Sequence, residues 1–219
     1  MTEPGSLVLF GEPFWISPYV FSSFVALTEK GLPFTVRILS LNDREHHQPA
    51  YRDYALTATV PALEHDGLWV AESSAINEYL EERFAPPAHA PLLPRAIGQR
   101  ARARHVTSWL RSDLMALRDE RPTTSMFYER AETPLSPAGS AAAATLVRVA
   151  DALIPDSAGP LFGDWTIVDA DLAFMLHRLL LNGHALPAKI RAYAEAQWQR
   201  PSVRAYVEHA RPAAFVPRP

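Results

Sequence analysis

The sequence predicts an α/β domain followed by an all-helical domain. Residues 7–84 alternate short strand-like and helix-like segments, whereas the pattern from residue 96 onward is helical throughout. Between the two regions, residues 85–95 read APPAHAPLLPR, a proline-rich composition typical of a stiff connection. We therefore expect a first domain at residues 1–84, a linker at 85–95 and a helical domain at 96–219.

The first domain begins with a βαβ unit. Leu7–Phe10 is a short apolar run of the kind that forms a buried strand. Ser17 followed by Pro18 is a typical helix start, with serine at the N-terminal cap and proline at the first helical position. We expect this helix to end near Lys30, and the β-branched run Thr35–Leu39 predicts a second strand parallel to the first.

The rest of the first domain predicts a hairpin and a helix. Residues 40–59 are polar and predict a loop. Val60–Glu64 and Leu68–Ala71 flank an Asp-Gly corner, which predicts two antiparallel strands. The helical pattern Ala75–Phe84 follows, and Ser73 or Ser74 would cap it.

The second domain has helical periodicity throughout. A stripe of apolar residues predicts one long helix that ends at Pro122, and it consists of Val106, Leu110, Leu114 and Leu117. Ser136 and Pro137 predict the start of an alanine-rich helix that reaches about Ile154.

A capping box marks the next helix of this domain. Thr166 and Asp169 have the spacing in which each side chain binds the other residue's backbone N–H. This start precedes an apolar helix at Asp169–Leu181, and two shorter helices are expected near residues 188–197 and 202–209. We assign Thr166 and Asp169 to folding rather than to chemistry.

Composition excludes several classes of function. The 219 residues contain no cysteine, which rules out disulfides, thiolate metal sites and a cysteine nucleophile. The net charge is −3, so we expect no nucleic-acid partner. No apolar run approaches the ~20 residues that span a bilayer, so no membrane association is expected. The acidic first residues lack a basic leader region, and the expected location is the cytoplasm.

Motifs at four places resemble those of the cytosolic glutathione transferases. They are Ser17–Tyr19, Val60-Pro61, Glu72–Ile76 and Phe162–Asp169, in the family's order along nearly the whole chain. The resemblance implies a thioredoxin-like first domain, a helical second domain and activation of the glutathione thiol by a serine. The runs Leu110–Met115 and Glu120–Thr123 are similar to those of the bacterial YfcF-type transferases.

Under this resemblance, Ser17 is the catalytic residue. A free thiol has a pKa of about 8.5, and lowering it by ~2 units needs about 2.7 kcal/mol of preferential thiolate stabilisation. A hydroxyl donor at a helix N-terminus can contribute to that stabilisation. The alternative is that Ser17 only caps its helix.

The resemblance assigns glutathione binding to Val60, Pro61, Glu72, Ser73 and Gln48. A cis bond before Pro61 would present the Val60 backbone to the ligand, whereas most bonds before proline are trans. Glu72 and Ser73 would bind the γ-glutamyl group, and the alternative is that they only start the helix. The polar loop that contains Arg44, His46, His47 and Gln48 would border the glycine end, with Gln48 as the expected contact. We expect His46 and His47 to be solvated and to form no metal site.

The electrophile would bind against a wall of the long helix and the loop after the first strand. The candidates are Trp15, Trp109, Ser112, Asp113 and Met115, with Phe14 beside Trp15 in the loop after the first strand. For Trp109, packing in the core is an at least equal alternative.

The expected function is transfer of glutathione to small electrophiles, with peroxide reduction as a further activity. Glutathione is the co-substrate, no metal is expected, and the protein would be a homodimer. The missing cysteine argues against thiol-transferase chemistry. Two alternatives stay open: a binding protein without activity, and a glutathione-dependent isomerase of the maleylacetoacetate type, whose motif usually has more serines than flank Ser17 here.

Overall fold

The chain forms two units, seen in a computed structural model that describes residues 5–217. Residues 1–4 and 218–219, the outer ends of the two predicted domains, lie outside the described residues. Of the described residues, one unit comprises 5–92 and 204–217, and the other comprises Leu93–Val203. The predicted helical domain at 96–219 stays a prediction; residues 204–217 group with the N-terminal unit.

The N-terminal unit is built on a mixed four-stranded sheet with the order β2-β1-β3-β4. The strands are β1 Leu7–Gly11, β2 Thr35–Ile38, β3 Ala62–His65 and β4 Leu68–Ala71. β2 is parallel to β1, and β3 is antiparallel to both β1 and β4. In the register, Leu9 pairs with Val36 on one side and with Leu63 on the other, so the βαβ unit and the hairpin are confirmed.

The helices of this unit are α1 Pro18–Glu29, α2 Pro49–Ala55 and α3 Ser73–Arg83, with a short 3-10 helix at Glu45–His47. α2 lies in the stretch predicted as loop. It has proline at its start and buries Tyr51 and Ala55, one turn apart, against the sheet. α3 begins two residues earlier than expected and has Glu72, not Ser73 or Ser74, at its N-terminal cap.

The helical unit has the expected helices with one break. The helices are α4 Ile97–Ser112, α5 Met115–Glu120, α6 Thr124–Phe127, α7 Pro137–Leu153, α8 Ile167–Leu180 and α9 Ala188–Trp198, and α10 Pro201–Val207 spans the boundary between the units. The single long helix predicted up to Pro122 is wrong, because Leu114 has a φ of 61° and separates α4 from α5. The stripe that contains Val106 and Leu117 is nevertheless buried along both helices.

The start of α8 is held by a buried carboxylate, as the capping box predicts. Asp169 accepts hydrogen bonds from the backbone N–H and the hydroxyl of Thr166 at 2.8 and 2.9 Å. Its other oxygen accepts from the Leu161 N–H at 2.9 Å and the Tyr193 hydroxyl at 3.0 Å. Burial raises the pKa of Asp169 in spite of these donors.

Candidate functional site

A cavity of about 670 Å³ opens in the N-terminal unit. Its walls are the loop between β1 and α1, the loop before β3, the first residue before α3 and the C-terminal tail. Of the residues that the sequence singled out, four line this cavity: Ser17, Val60, Pro61 and Glu72.

Ser17 lies at the N-terminal cap of α1, where its Oγ accepts a hydrogen bond from the Val20 N–H at 3.3 Å. Within residues 5–217 the hydroxyl proton of Ser17 has no acceptor. The hydroxyl is therefore a helix cap and, at the same time, a donor that can still be used by a ligand in the cavity.

Val60 and Pro61 form the wall before β3, and the peptide bond between them is cis, as the resemblance implied. No hydrogen bond within residues 5–217 engages the backbone N–H or C=O of Val60. The preceding residue is fixed, because the Tyr51 hydroxyl donates to the Thr59 carbonyl. A ligand with peptide groups could pair with Val60 as a short strand would.

Glu72 contributes a carboxylate to the cavity. Its side chain is exposed, and the only hydrogen bond of that side chain within the described residues is a long one from the Thr59 hydroxyl at 3.5 Å. Its φ is 69°, a value that is unfavourable for a residue with a side chain and is often retained at functional sites. Ser73, by contrast, is 2% exposed and does not line the cavity.

The loop before α2 lines the cavity, as expected, but through its histidines rather than through Gln48. Gln48 is exposed at the start of α2 and lies outside the lining, whereas His46 and His47 form part of it. The two imidazole rings are 4.0 Å apart. Within residues 5–217 no group of three or more His, Asp and Glu side chains could hold a metal ion.

The expected electrophile residues do not gather around this cavity. Trp15 is 7% exposed, stacks on His209 at 3.6 Å and is not among the lining residues. In the helical unit, the Trp109 Nε1 donates to Asp113 at 3.0 Å, Ser112 donates to a carbonyl one turn back, and Met115 is 52% exposed. A shared electrophile site of these residues stays a prediction.

Trp109 lines a second cavity, which lies in the helical unit. This cavity is about 670 Å³ and runs between α4 and α7. Arg102, His105 and Arg148 also line it.

Phe14 was expected beside the pocket, whereas Glu12 and the C-terminal tail were not. Phe14 and Phe215 line the cavity with their rings 4.9 Å apart, and Asn42 donates to the carbonyl of Val216 at 3.1 Å. Glu12 lies under the loop that leads to Ser17 and is 4% exposed. Nothing in a local pattern could join residue 14 to residue 215, since hydrophobic periodicity reports only neighbours along the chain.

The comparisons with known proteins agree with this fold. Residues 16–83 match the family described as glutathione S-transferase, N-terminal domain, and residues 96–211 match glutathione S-transferase, C-terminal domain. A crystal structure of a glutathione transferase homologue from Burkholderia gl BGR1, with bound glutathione, is 36% identical with a TM-score of 0.75. That alignment covers 93% of this chain and 97% of the other.

Two curated relatives match over shorter stretches. The probable maleylacetoacetate isomerase 2 of Drosophila melanogaster is 32% identical over 108 residues, or 48% of this chain and 46% of that protein. The maleylacetoacetate isomerase of Pseudomonas aeruginosa is 40% identical over 96 residues, or 42% of this chain and 44% of that protein. The chain thus spans less than half the length of these two relatives.

The matches cover both units of the chain. The chain therefore belongs to the glutathione S-transferase family. Its N-terminal domain is thioredoxin-like and its C-terminal domain is helical. No helix within residues 5–217 is long and apolar enough to cross a membrane.

Proposed function

We propose that the protein binds glutathione in the cavity of its N-terminal unit and activates the thiol with the hydroxyl of Ser17. The observation that carries this proposal is the hydroxyl proton of Ser17, which has no acceptor among the described residues. Ser17 lines the same cavity as Glu72 and as Val60, whose backbone groups have no partner in that part of the chain either. Family membership supports glutathione as the ligand, as does the glutathione bound in the Burkholderia relative.

The three groups suit three parts of the tripeptide. Glu72 pairs with the γ-glutamyl ammonium, and the backbone of Val60 pairs with the cysteinyl peptide groups. The thiol then lies at Ser17, which donates to the sulfur and favours the thiolate. The resemblance assigns the γ-glutamyl carboxylate to Ser73, the first residue of α3; because Ser73 is 2% exposed and does not line the cavity, this contact stays a prediction. The glycine end points to His46 and His47, with Gln48 beyond them.

The activated thiolate attacks a small electrophile. With an electrophilic carbon, a sulfur–carbon bond forms and the leaving group departs with the bonding electrons. With a hydroperoxide, the thiolate takes one oxygen and the alcohol is released, and a second glutathione then yields the disulfide and water. Ser17 and the binding groups act by positioning and by stabilising charge. We propose a homodimer in the cytoplasm, of the serine type and similar to the YfcF-type transferases.

A second candidate is a glutathione-dependent isomerase. It is favoured by the two maleylacetoacetate isomerases among the relatives. In this reaction the thiolate adds to a conjugated double bond, the single bond that results rotates, and elimination restores the double bond and the free thiol. The same thiolate at Ser17 would serve, and glutathione would not be consumed.

The test measures turnover for the wild type, Ser17→Ala and Ser136→Ala. Ser136 is the matched control, since it caps a helix next to proline as Ser17 does but lies in the helical unit. The substrates are an aryl halide, an organic hydroperoxide and a cis-dienoic diacid, each with glutathione.

We expect Ser17→Ala to lower kcat/KM about 100-fold at pH 7, equivalent to about 2.7 kcal/mol, and Ser136→Ala to leave it unchanged. Turnover of only the dienoic diacid, without loss of glutathione, would select the isomerase. Glutathione binding without turnover of any substrate would favour a binding protein and contradict the proposal.

A further inference from the structure

A buried carboxylate lies beneath the loop that carries Ser17. Glu12 is 4% exposed and lines the cavity. One of its oxygens accepts hydrogen bonds from the N–H groups of Ile16 at 2.7 Å and Ser17 at 3.0 Å, and the other accepts from Phe14 at 2.7 Å. The loop between β1 and α1 therefore curls around this single side chain.

These bonds use backbone donors that would otherwise point at a ligand. The first N–H groups of a helix have no partner inside the helix and attract anions. Here the N–H of Ser17 binds Glu12, Pro18 has no N–H, and the N–H of Val20 binds the Ser17 hydroxyl. The Ser17 hydroxyl lines the cavity and is a donor of this helix start that a bound thiolate can use.

The other side of Ser17 is held as well. The hydroxyl of Tyr206 donates to the Ser17 carbonyl at 3.1 Å, and burial raises the pKa of Tyr206 well above its ordinary value. The guanidinium of Arg211 donates to the Trp15 carbonyl at 2.9 Å. Both peptide groups of Ser17 are consequently fixed, the N–H by Glu12 and the C=O by Tyr206.

We infer that Glu12 is the positioning residue that directs the Ser17 hydroxyl at the thiol of bound glutathione. This inference rests on the proposed function. Glu12 acts through Ser17, since its oxygens are occupied by the loop N–H groups. Displacement of a hydrogen-bond donor by ~1 Å is enough to weaken a charge-stabilising contact severely.

The test compares the thiolate absorbance of bound glutathione at pH 7 in variants of two carboxylates. Glu12→Ala removes the acceptors beneath Ser17. Glu120→Ala is the matched control, because Glu120 accepts the backbone N–H and the hydroxyl of Ser136 at the other serine–proline helix start. Circular dichroism checks that each variant is folded.

With Glu12→Ala, we expect about ten-fold less thiolate of bound glutathione than with the wild type, which corresponds to the loss of one hydrogen bond to a charged group. With Glu120→Ala, we expect as much thiolate as with the wild type. Glu12→Gln can keep an oxygen for Ile16 and Ser17 and loses only the acceptor of the Phe14 N–H, so it should retain more thiolate than Glu12→Ala. If Glu12→Ala does not fold, Glu12→Asp replaces it; its carboxylate is one methylene shorter and should reduce the thiolate in the same direction.

The outcomes separate this inference from the proposed function. A wild type without thiolate overturns both. A wild type with thiolate and a folded Glu12→Ala or Glu12→Asp variant with the same amount overturns the inference alone. A merely structural role for Glu12 would lower the melting temperature and leave the thiolate unchanged.

Discussion

Two helices of this chain begin with serine followed by proline, and their serines have different surroundings. In α7, the Ser136 hydroxyl accepts from the Gly139 N–H at 3.1 Å and donates to Glu120 at 2.6 Å. In α1, the Ser17 hydroxyl accepts from an N–H in the same way but donates to nothing within residues 5–217. We call the start at Ser136 closed and the start at Ser17 open.

The two units differ in the same way at a second pair of helices. α8 has a closed start, since Asp169 uses both oxygens on donors of the protein. α3 has an open start, since the carboxylate of Glu72 is exposed and lines the cavity. A side chain at a helix start can therefore serve folding or function; what separates the two is whether that side chain still has an unused donor or acceptor among the described residues.

The largest effect on stability is expected at the closed start of α8. Asp169→Asn puts an amide NH₂ against donors and leaves buried groups unsatisfied, so we expect a loss of roughly 3 kcal/mol in the free energy of unfolding. Denaturant titration measures it. Glutathione affinity of the folded fraction should not change, and a loss of affinity without a loss of stability would break the distinction between closed and open starts.

A smaller effect, on binding, is expected at the open start of α3. Glu72→Gln removes the charge that pairs with the γ-glutamyl ammonium, and a charged hydrogen bond is worth roughly 1.5–3 kcal/mol. The Kd for glutathione should rise about ten-fold by calorimetry, with an unchanged melting temperature. Glu82→Gln, at an exposed position of the same helix, is the control. Equal affinity in the two variants would remove Glu72 from the site.

The smallest effect is expected at the closed start of α7. Ser136→Ala removes a helix cap, which costs about 1 kcal/mol. The hydrogen bonds from Ser136 lower the pKa of Glu120 in the folded protein. Glu120 therefore contributes stability above its unfolded pKa, and this contribution is lost as the pH falls through the lower folded value.

The pH dependence of melting tests this contribution. When the pH is lowered from 6 into the acid range in which Glu120 is protonated, the melting temperature of the wild type should fall further than that of Ser136→Ala. Parallel curves for the two proteins would show that Ser136 does not stabilise the charged form of Glu120.

Local patterns predicted most of the fold. The serine–proline pairs, the Asp-Gly corner and the capping box each determine the backbone of a few residues, and the structure has a helix start or turn at each. The break at Leu114 was not predicted, because the apolar residues keep their helical spacing on both sides of it. Helix α2 was not predicted, because only two of its residues, Tyr51 and Ala55, are buried and two apolar positions are too few for a helical pattern.

Residues of the candidate site could be predicted only where they lie in such a local sequence pattern. Ser17 and Glu72 lie at helix starts that can be seen in the sequence. Phe215 contacts Phe14, and this pairing depends on the tertiary fold. Glu12 binds N–H groups only two to five residues ahead of it, but a loop closed by a side chain has no periodic pattern in the sequence. The lining by His46 and His47 rather than Gln48 was not visible in the sequence, because a single 3-10 turn has no periodic signal.

The central claim is that the open start at Ser17 supplies the donor for a glutathione thiolate. The most direct measurement titrates glutathione into the wild type, Ser17→Ala and Ser136→Ala at pH 7 and follows thiolate absorbance. The account predicts a thiolate signal in the wild type and in Ser136→Ala, and little in Ser17→Ala. An equal signal in Ser17→Ala, or none in the wild type, would contradict it.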